Sequence, residues 1–196
     1  MLKGLILVIS GPAGSGKNTV AERLIAHSNG KIRRAITTTS RPPRGSEKEG
    51  IDYYFLSARD FERAIENGEF YEFAKVHDRY YGTSKREILG LLESGKDIVL
   101  IIDVQGAQTW RQIASREPLI GERLHSVFIR PPSIGELRRR LANRGTESEE
   151  DIERRMKTAQ EELRRDAEFE FVIDSGSRDD DFKKLLDIYS KLKSEK

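Results

Sequence analysis

Ten residues near the N-terminus, Ser10 to Thr19 (SGPAGSGKNT), constrain the fold more than any other stretch of this chain. An unbroken apolar run, Leu5 to Ile9, precedes them and has the length of a buried parallel strand. Val20, Leu24 and Ile25 follow at helical spacing, and Asn29-Gly30 marks the end of that helix. Strand, glycine-rich loop, helix is the context in which the spacing G-x-x-x-x-G-K, here Gly11 to Lys17, binds phosphate. Glycines let successive backbone N–H groups turn inward on an anion, and the helix N-terminus adds partial positive charge. Lys17 supplies a mobile point charge for the β- and γ-phosphates of a nucleotide. The predicted triphosphate site is therefore Gly11, Pro12, Ala13, Gly14, Ser15, Gly16, Lys17, Asn18 and Thr19. The alternative, a glycine-rich turn with an incidental lysine, does not account for the strand before it and the helix after it. Position 18 departs from the usual Ser or Thr, so a metal ion accompanying the phosphates would meet an amide oxygen there.

At 196 residues the chain is long enough for one large α/β unit or one domain with an insertion. Its 35% charged residues point to a water-soluble protein, and a net charge of +2 is too small to argue for nucleic acid or a membrane surface. With no cysteine there is no disulfide, thiolate metal site or thiol nucleophile, which suits a reducing cytoplasm. The first apolar run is too short for a signal peptide, and no stretch approaches a membrane-spanning length. The expected location is cytoplasmic.

Further along, Arg33 to Thr38 reads as a short strand, and a proline-broken basic loop leads into an aromatic strand ending at Phe55. Ser57, Ser84, Ser133 and Thr146 each open a helix, with Asp60, Glu87, Glu136 and Glu149 three residues on. Phe70–Lys75 and Arg79–Gly82 read as two strands about a turn, and Ile98–Ile102, Leu124–Ile129 and Phe169–Ile173 as three more. A C-terminal helix carries Phe182, Leu185, Leu186, Tyr189 and Leu192. Buried strands alternating with amphipathic helices predict an α/β fold with a parallel sheet covered on both faces. The segment 37–90 breaks that rhythm and holds nine of the fifteen aromatic residues, enough for a small core of its own. The expected division is a core (1–36, 91–132 and 168–196), an insert (37–90) and a charged helical lid (133–167). Trp110 reads as core packing.

The order TSRPPRGSEKEGIDYYF, Thr39 to Phe55, resembles the guanylate kinase signature, with Arg41, Arg44, Glu47, Gly50, Tyr53 and Phe55 at the family's spacings. Two arginines three apart beside a tyrosine make a good monophosphate clamp, because guanidinium forks match phosphate oxygens bidentately. Glu72 in FYEFA and Thr83 in YYGTS match the family's guanine contacts. The chemistry agrees: guanine offers N1–H and an amino group to a carboxylate and O6 to a hydroxyl, whereas adenine has a lone pair at N1. The resemblance implies a P-loop NTPase-type sheet with an inserted mixed α/β GMP-binding subdomain and a helical lid. It further implies GMP contacts from Thr37, Arg41, Arg44, Glu47, Tyr53, Glu72, Tyr81, Thr83 and Asp103.

Three departures accompany it. Asn18 replaces the metal-binding hydroxyl, Ile101 stands where a second acid usually precedes Asp103, and Asp174-Ser175 occupies the place of an adenine-binding asparagine. In the lid, Arg144 and Arg155 fall where the family's transition-state arginines sit.

The implied reaction is Mg²⁺-dependent transfer of the ATP γ-phosphoryl group to GMP, with Lys17, Arg41, Arg144 and Arg155 neutralising charge. The GMP phosphate is already an oxyanion near neutrality. No general base is required, and His27, His77 and His125 are scattered without carboxylate partners in sequence. The partners are then the small molecules GMP and ATP, with no nucleic acid and no membrane. Two rivals remain. A non-catalytic guanylate-kinase-like binding domain would have lost parts of the phosphate loop, and a kinase acting on a sugar phosphate would not need Glu72 and Thr83 together.

Overall fold

A strand built only of aliphatic and small residues has no face to offer water, and Ile6–Ser10 (β1) is buried at all five positions. A computed structural model describes residues 4–76, 78–143 and 149–194. After β1 come α1 (Lys17–His27), β2 (Ile32–Arg34), β3 (Thr38–Thr39), β4 (Tyr54–Phe55), α2 (Ala58–Glu66), β5 (Phe70–Val76) and β6 (Arg79–Ser84). Then follow α3 (Lys85–Glu93), β7 (Asp97–Ile101), α4 (Val104–Arg116), α5 (Pro118–Gly121) and β8 (Leu124–Arg130). The chain closes with α6 (Ile134–Ala142), α7 (Glu149–Leu163), β9 (Phe171–Asp174) and α8 (Arg178–Ser194).

Five parallel strands in the order β2-β7-β1-β8-β9 form the expected sheet. Successive side chains of β1 point to opposite faces. Leu7 and Ile9 pack with Val20 and Leu24 of α1 and Leu185 and Leu192 of α8. Ile6 and Val8 pack on the other side with Ile88 and Leu92 of α3 and with Trp110 of α4, which is fully buried. Helix α3 thus contributes to the core although part of it falls in the segment assigned to the insert. Asp97, just before the apolar run, is buried yet satisfied. It accepts from the Leu5 N–H (2.8 Å), the Tyr189 hydroxyl (2.6 Å) and the Lys193 ammonium (3.1 Å), tying the first strand to the last helix.

The strand expected over Arg33–Thr38 is two strands. β2 ends at Arg34 in the core sheet, and β3 begins at Thr38 in a second sheet of order β4-β3-β6-β5. Between them the Ala35 N–H still bonds the carbonyl of Val99 in β7 (3.1 Å), while the Ile36 N–H donates to the Glu87 carboxylate (3.0 Å). β-Propensity cannot tell one strand from two that pair with different partners. The second sheet is mixed, β3 running parallel to β4 and antiparallel to β6. Phe61 of α2 stacks on Phe70 and Tyr80 (centroids 4.4 and 5.2 Å), giving the insert its own aromatic core.

Ser57, Ser84 and Ser133 each accept the N–H three residues on, so the helix starts are as expected. At α3 and α6 the acids are engaged elsewhere: Glu87 holds Ile36 and the Tyr54 hydroxyl, and Glu136 holds Arg139 and Arg140. The signal at Thr146 lies outside the described residues. The last strand starts at Phe171, later than the pattern predicts, behind a 3-10 turn at Asp166–Glu168. Helices α6 and α7 bury Leu137, Leu141, Ile152, Met156 and Ala159 against each other, with Ala13 of the glycine loop packed on them. Among the described residues no helix is long and apolar enough to cross a membrane.

Candidate active site

Beyond β1 the backbone turns through Gly11, Gly14 and Gly16, all at positive φ. Gly11 is needed for space, since a Cβ there would lie 2.5 Å from the Ile129 carbonyl oxygen of β8. Gly16 is needed for conformation: at φ +99° it caps α1 with nothing within 4 Å of a would-be Cβ. No side chain caps α1, the condition under which a helix N-terminus can receive an anion. Lys17 Nζ donates to the carbonyls of Gly11 (2.9 Å) and Pro12 (3.1 Å), so its charge is stored on the loop. Over the loop opens a cavity of about 610 Å³ whose walls include Lys17, Asn18, Arg139, Arg140 and Gly176. Glu136 holds both arginines, and their hydrogen bonds pull its carboxyl down to about 2.

Within the insert Arg41 is buried and forks onto Glu47, at 2.6 Å through Nη1 and 2.7 Å through Nη2. Its guanidinium lies 4.8 Å from the centroid of the Tyr53 ring. Glu47 also accepts the Arg44 N–H (2.8 Å), and these bonds, Arg41's first, hold its carboxyl at about 2. The Arg44 side chain is exposed, and Tyr81 sits edge-on to Tyr53 at 6.2 Å. Thr37 lies in the crossover between the sheets, its carbonyl accepting the Tyr54 N–H (3.0 Å).

Glu72 and Thr83 face each other across β5 and β6, and the Thr83 hydroxyl donates to Glu72 Oε1 at 2.6 Å. Burial raises the Glu72 carboxyl above its ordinary value, Asp103 raises it further, and the bonds from Thr83 oppose the shift. Glu72 and Asp103 line one cavity of about 570 Å³. Asp103 also caps α4 by accepting the Gly106 N–H (2.7 Å). It is therefore positioned at a strand end between the acceptor insert and the phosphate loop.

A family model described as guanylate kinase matches residues 3–192. The chain is 40% identical over 171 residues to a guanylate kinase of Clostridioides difficile, covering 87% of this chain and 80% of that one. It is 44% identical over 171 residues to a guanylate kinase of Caldanaerobacter subterraneus subsp. tengcongensis, covering 87% and 79%. The crystal structure of guanylate kinase from Anaplasma phagocytophilum superposes with a TM-score of 0.71 at 30% identity, covering 98% of this chain and 88% of that one. The chain belongs to the guanylate kinase family. It is a nucleoside monophosphate kinase on the P-loop type of parallel sheet. A gluconokinase from Sinorhizobium meliloti, at 17% identity and a TM-score of 0.51, shares the fold alone.

One residue near the candidate site escapes the sequence pattern. Glu162 sits one position off the apolar stripe of α7, where periodicity assigns nothing. It lines a cavity of about 280 Å³ with Asp103 and Arg165. Burial raises its carboxyl most, Asp103 adds to that, and the charges of Lys17 and Arg165 oppose it. Of the two lid arginines, Arg155 is on the exposed side of α7 and Arg144 lies outside the described residues. His125 does have a carboxylate partner, Glu170, at 2.9 Å, joined to it by sheet pairing and invisible in the linear sequence. At the opposite end of β8 from Ile129 and the glycine loop, it takes no part in the site.

Among the described residues no cluster of three or more acidic or histidine side chains could hold a metal ion. Asn18, exposed at the start of α1 and lining the cavity, offers a single amide oxygen. This donor set fits Mg²⁺ held largely by nucleotide phosphates and water, the usual arrangement for that ion.

Proposed function

We propose that this guanylate kinase passes the γ-phosphoryl group of ATP to GMP, with Lys17, Arg41, Arg144 and Arg155 sharing the transition-state charge. The observation that carries the acceptor assignment is the Glu72–Thr83 pair, bonded at 2.6 Å, with Glu72 lining a cleft it shares with Asp103 and Thr83 buried behind it. Glu72 would present a carboxylate to guanine N1–H and its amino group, and the Thr83 hydroxyl, once it turns its single proton from Glu72, would donate to O6. Arg41, held by Glu47 and stacked near Tyr53, is preorganised as one arm of a phosphate clamp, and exposed Arg44 is the other. Glu47 acts here as a positioning residue. The nucleophile is the ionised GMP phosphate, so catalysis is positioning and charge neutralisation without a general base.

The loop amides and Lys17 hold the β- and γ-phosphates of ATP. Mg²⁺, when bound, supplies further charge neutralisation there, with Asn18 as its nearest protein oxygen. The crossover at Ala35–Thr37 and the small separate core of α6 and α7 suit an insert and a lid that close over the nucleotides and exclude water. A reducing cytoplasm is the compartment a cysteine-free kinase of this kind suits.

The test is nucleoside diphosphate formation from ATP with GMP, AMP and UMP as acceptors. Turnover is expected with GMP alone; equal turnover with AMP would remove Glu72 and Thr83 as base readers. A second expectation concerns Asn18. Asn18→Ser restores a hydroxyl at the metal position and should lower the Mg²⁺ concentration needed for half-maximal nucleotide binding by severalfold, on the order of 1 kcal/mol of binding. Titration of MgATP binding by calorimetry at several Mg²⁺ concentrations checks it, and an unchanged requirement would show that Asn18 contributes no ligand.

A further inference from the structure

Two stretches of backbone join the insert to the core: the crossover at Ala35–Thr37 and the passage from β6 into α3 at Ser84–Lys85. Arg41, Arg44, Tyr53, Glu72 and Thr83 all lie on the insert side of these joints, whereas the phosphate loop belongs to the core. How the insert is seated on the core therefore sets the distance and angle between acceptor and donor.

The two edge strands of the insert's sheet, β5 and β4, are held in different ways. On the β5 side Tyr71 packs on the buried Trp110 of α4, with ring centroids 5.4 Å apart, and its phenol bonds Glu117 at the end of that helix. The Lys85 N–H adds a bond to the Glu69 carbonyl just before β5 (2.8 Å). Towards β4 the junction is hollow. A cavity of about 800 Å³ opens between insert and α3, its walls including Thr38, Leu56, Phe70 and Leu91, so no packed interface fixes the angle there. With β5 anchored and that space empty, β4 is the edge free to swing, and the clamp residue Tyr53 directly precedes it.

Glu87 spans this gap. Its neighbours Ile88 and Leu92 are buried in the core, which fixes α3 as a base. One carboxylate oxygen accepts the Ile36 N–H of the crossover (3.0 Å) and the other the Tyr54 hydroxyl of β4 (3.0 Å). The Thr37 carbonyl accepts the Tyr54 N–H (3.0 Å), so crossover and strand are tied to each other as well as to the carboxylate. Burial raises the Tyr54 phenol above its ordinary value and Glu87 raises it further, so the phenol keeps the proton it donates. Glu87 lines neither the donor cavity nor the acceptor cleft.

We propose that Glu87 is a positioning residue for phosphoryl transfer: its carboxylate pins the β4 edge of the insert to α3 and so sets where the acceptor phosphate stands relative to the phosphate loop. Hydrogen bonds are directional, and a misplacement of reacting groups by about 1 Å costs on the order of 10²-fold in rate. The inference rests on the reading of the chain as a GMP-phosphorylating enzyme and adds to it a residue remote from both nucleotides.

The experiment compares Glu87→Ala, Glu87→Gln and Tyr54→Phe in the full chain, by steady-state turnover of GMP with MgATP and by calorimetric titration with GMP alone. Glu87→Ala removes both arms of the bridge and Tyr54→Phe only the insert's arm. Each should lower kcat by about tenfold to 10²-fold with the GMP Kd within about threefold of the parent, because clamp and base readers stay together on one sheet. Glutamine can accept from Ile36 and donate to the Tyr54 oxygen, so Glu87→Gln should keep kcat within about threefold. The double variant Glu87→Ala, Tyr54→Phe should lose no more than Glu87→Ala alone, since both act through one bridge. Unchanged kcat in either single variant, Glu87→Ala or Tyr54→Phe, overturns the inference. So does a rise in GMP Kd that accounts for the whole loss, which would make Glu87 a support of the insert's fold and nothing more. If Glu87→Ala does not fold, Tyr54→Phe, which keeps the ring and its packing, decides alone. Absence of turnover in the parent protein sinks the GMP kinase reading together with this one; normal parental turnover beside unaltered variants sinks the positioning role only.

Discussion

Lys17→Met is expected to abolish phosphoryl transfer while leaving the fold in place. Methionine is close to lysine in length, so the change removes a charge and its hydrogen bonds while keeping the bulk of the side chain. It loses the bonds to the Gly11 and Pro12 carbonyls, which stay within the loop, and its attraction for the Glu162 carboxylate. A stability loss of about 1 kcal/mol, a shift of roughly 2–4 °C in Tm, is the expected limit. Turnover is another matter. Charge develops on the transferring group in a cleft where Arg139 and Arg140 lie against Glu136 and Arg41 against Glu47, so each brings less net positive charge than Lys17, whose bonds are to neutral carbonyls. Removing one preorganised cation or donor from such a site typically lowers kcat by about 10²–10³-fold, and more where few others remain. Steady-state kinetics beside a thermal melt checks both halves. Activity within tenfold of the parent would show that Lys17 is not aimed at the transferring phosphate.

Glu72→Gln carries the second large effect. The amide is isosteric and can still accept from the Thr83 hydroxyl, so the β5–β6 pairing should survive. Its NH₂ would then face the N1–H or amino group of guanine, donor against donor. GMP kcat/KM is expected to fall by about 10²–10⁴-fold, with MgATP affinity unchanged, because the donor cavity has different walls. Equal loss of both ligands would count against base reading.

The pH dependence follows from the same carboxyl. Its pKa lies above the ordinary 4.5, burial being the main cause. Only the ionised form accepts two guanine donors, so GMP binding should weaken at a higher pH on acidification than an exposed carboxylate would require. Glu72→Gln should lack this limb. The stability sign is opposite to that of an ion pair. A carboxyl raised in the folded state contributes unfavourably above its unfolded value, so Glu72→Gln should leave stability unchanged or slightly increased near neutral pH.

Contiguous motifs were legible because their chemistry is local. β1, the glycine loop and α1 succeed each other within about twenty residues, and the loop's function is carried by its own backbone. The serine caps were legible for the same reason, since each bond spans three residues. Their acids were not. Glu87 reaches back to Ile36 and Tyr54, linking the crossover to the insert, because packing brings those groups closer than its own helix N-terminus. Likewise the apparent strand over Arg33–Thr38 divides where its two ends meet β7 and β6, partners that lie about 65 and about 44 residues away.

Sheet class, phosphate loop and membership of a GMP-directed family are all written in the linear order of the chain. Each rests on residue type at short spacing. Tertiary structure alone decided which polar groups remain open to ligands. Arg41 is paired with Glu47, Glu72 with Thr83, Glu162 comes under the charge of Lys17, and Asp181 closes the Ser175–Gly176 loop upon itself. A buried donor or acceptor must find a partner, and which one it finds is set by the packing of elements remote in the chain.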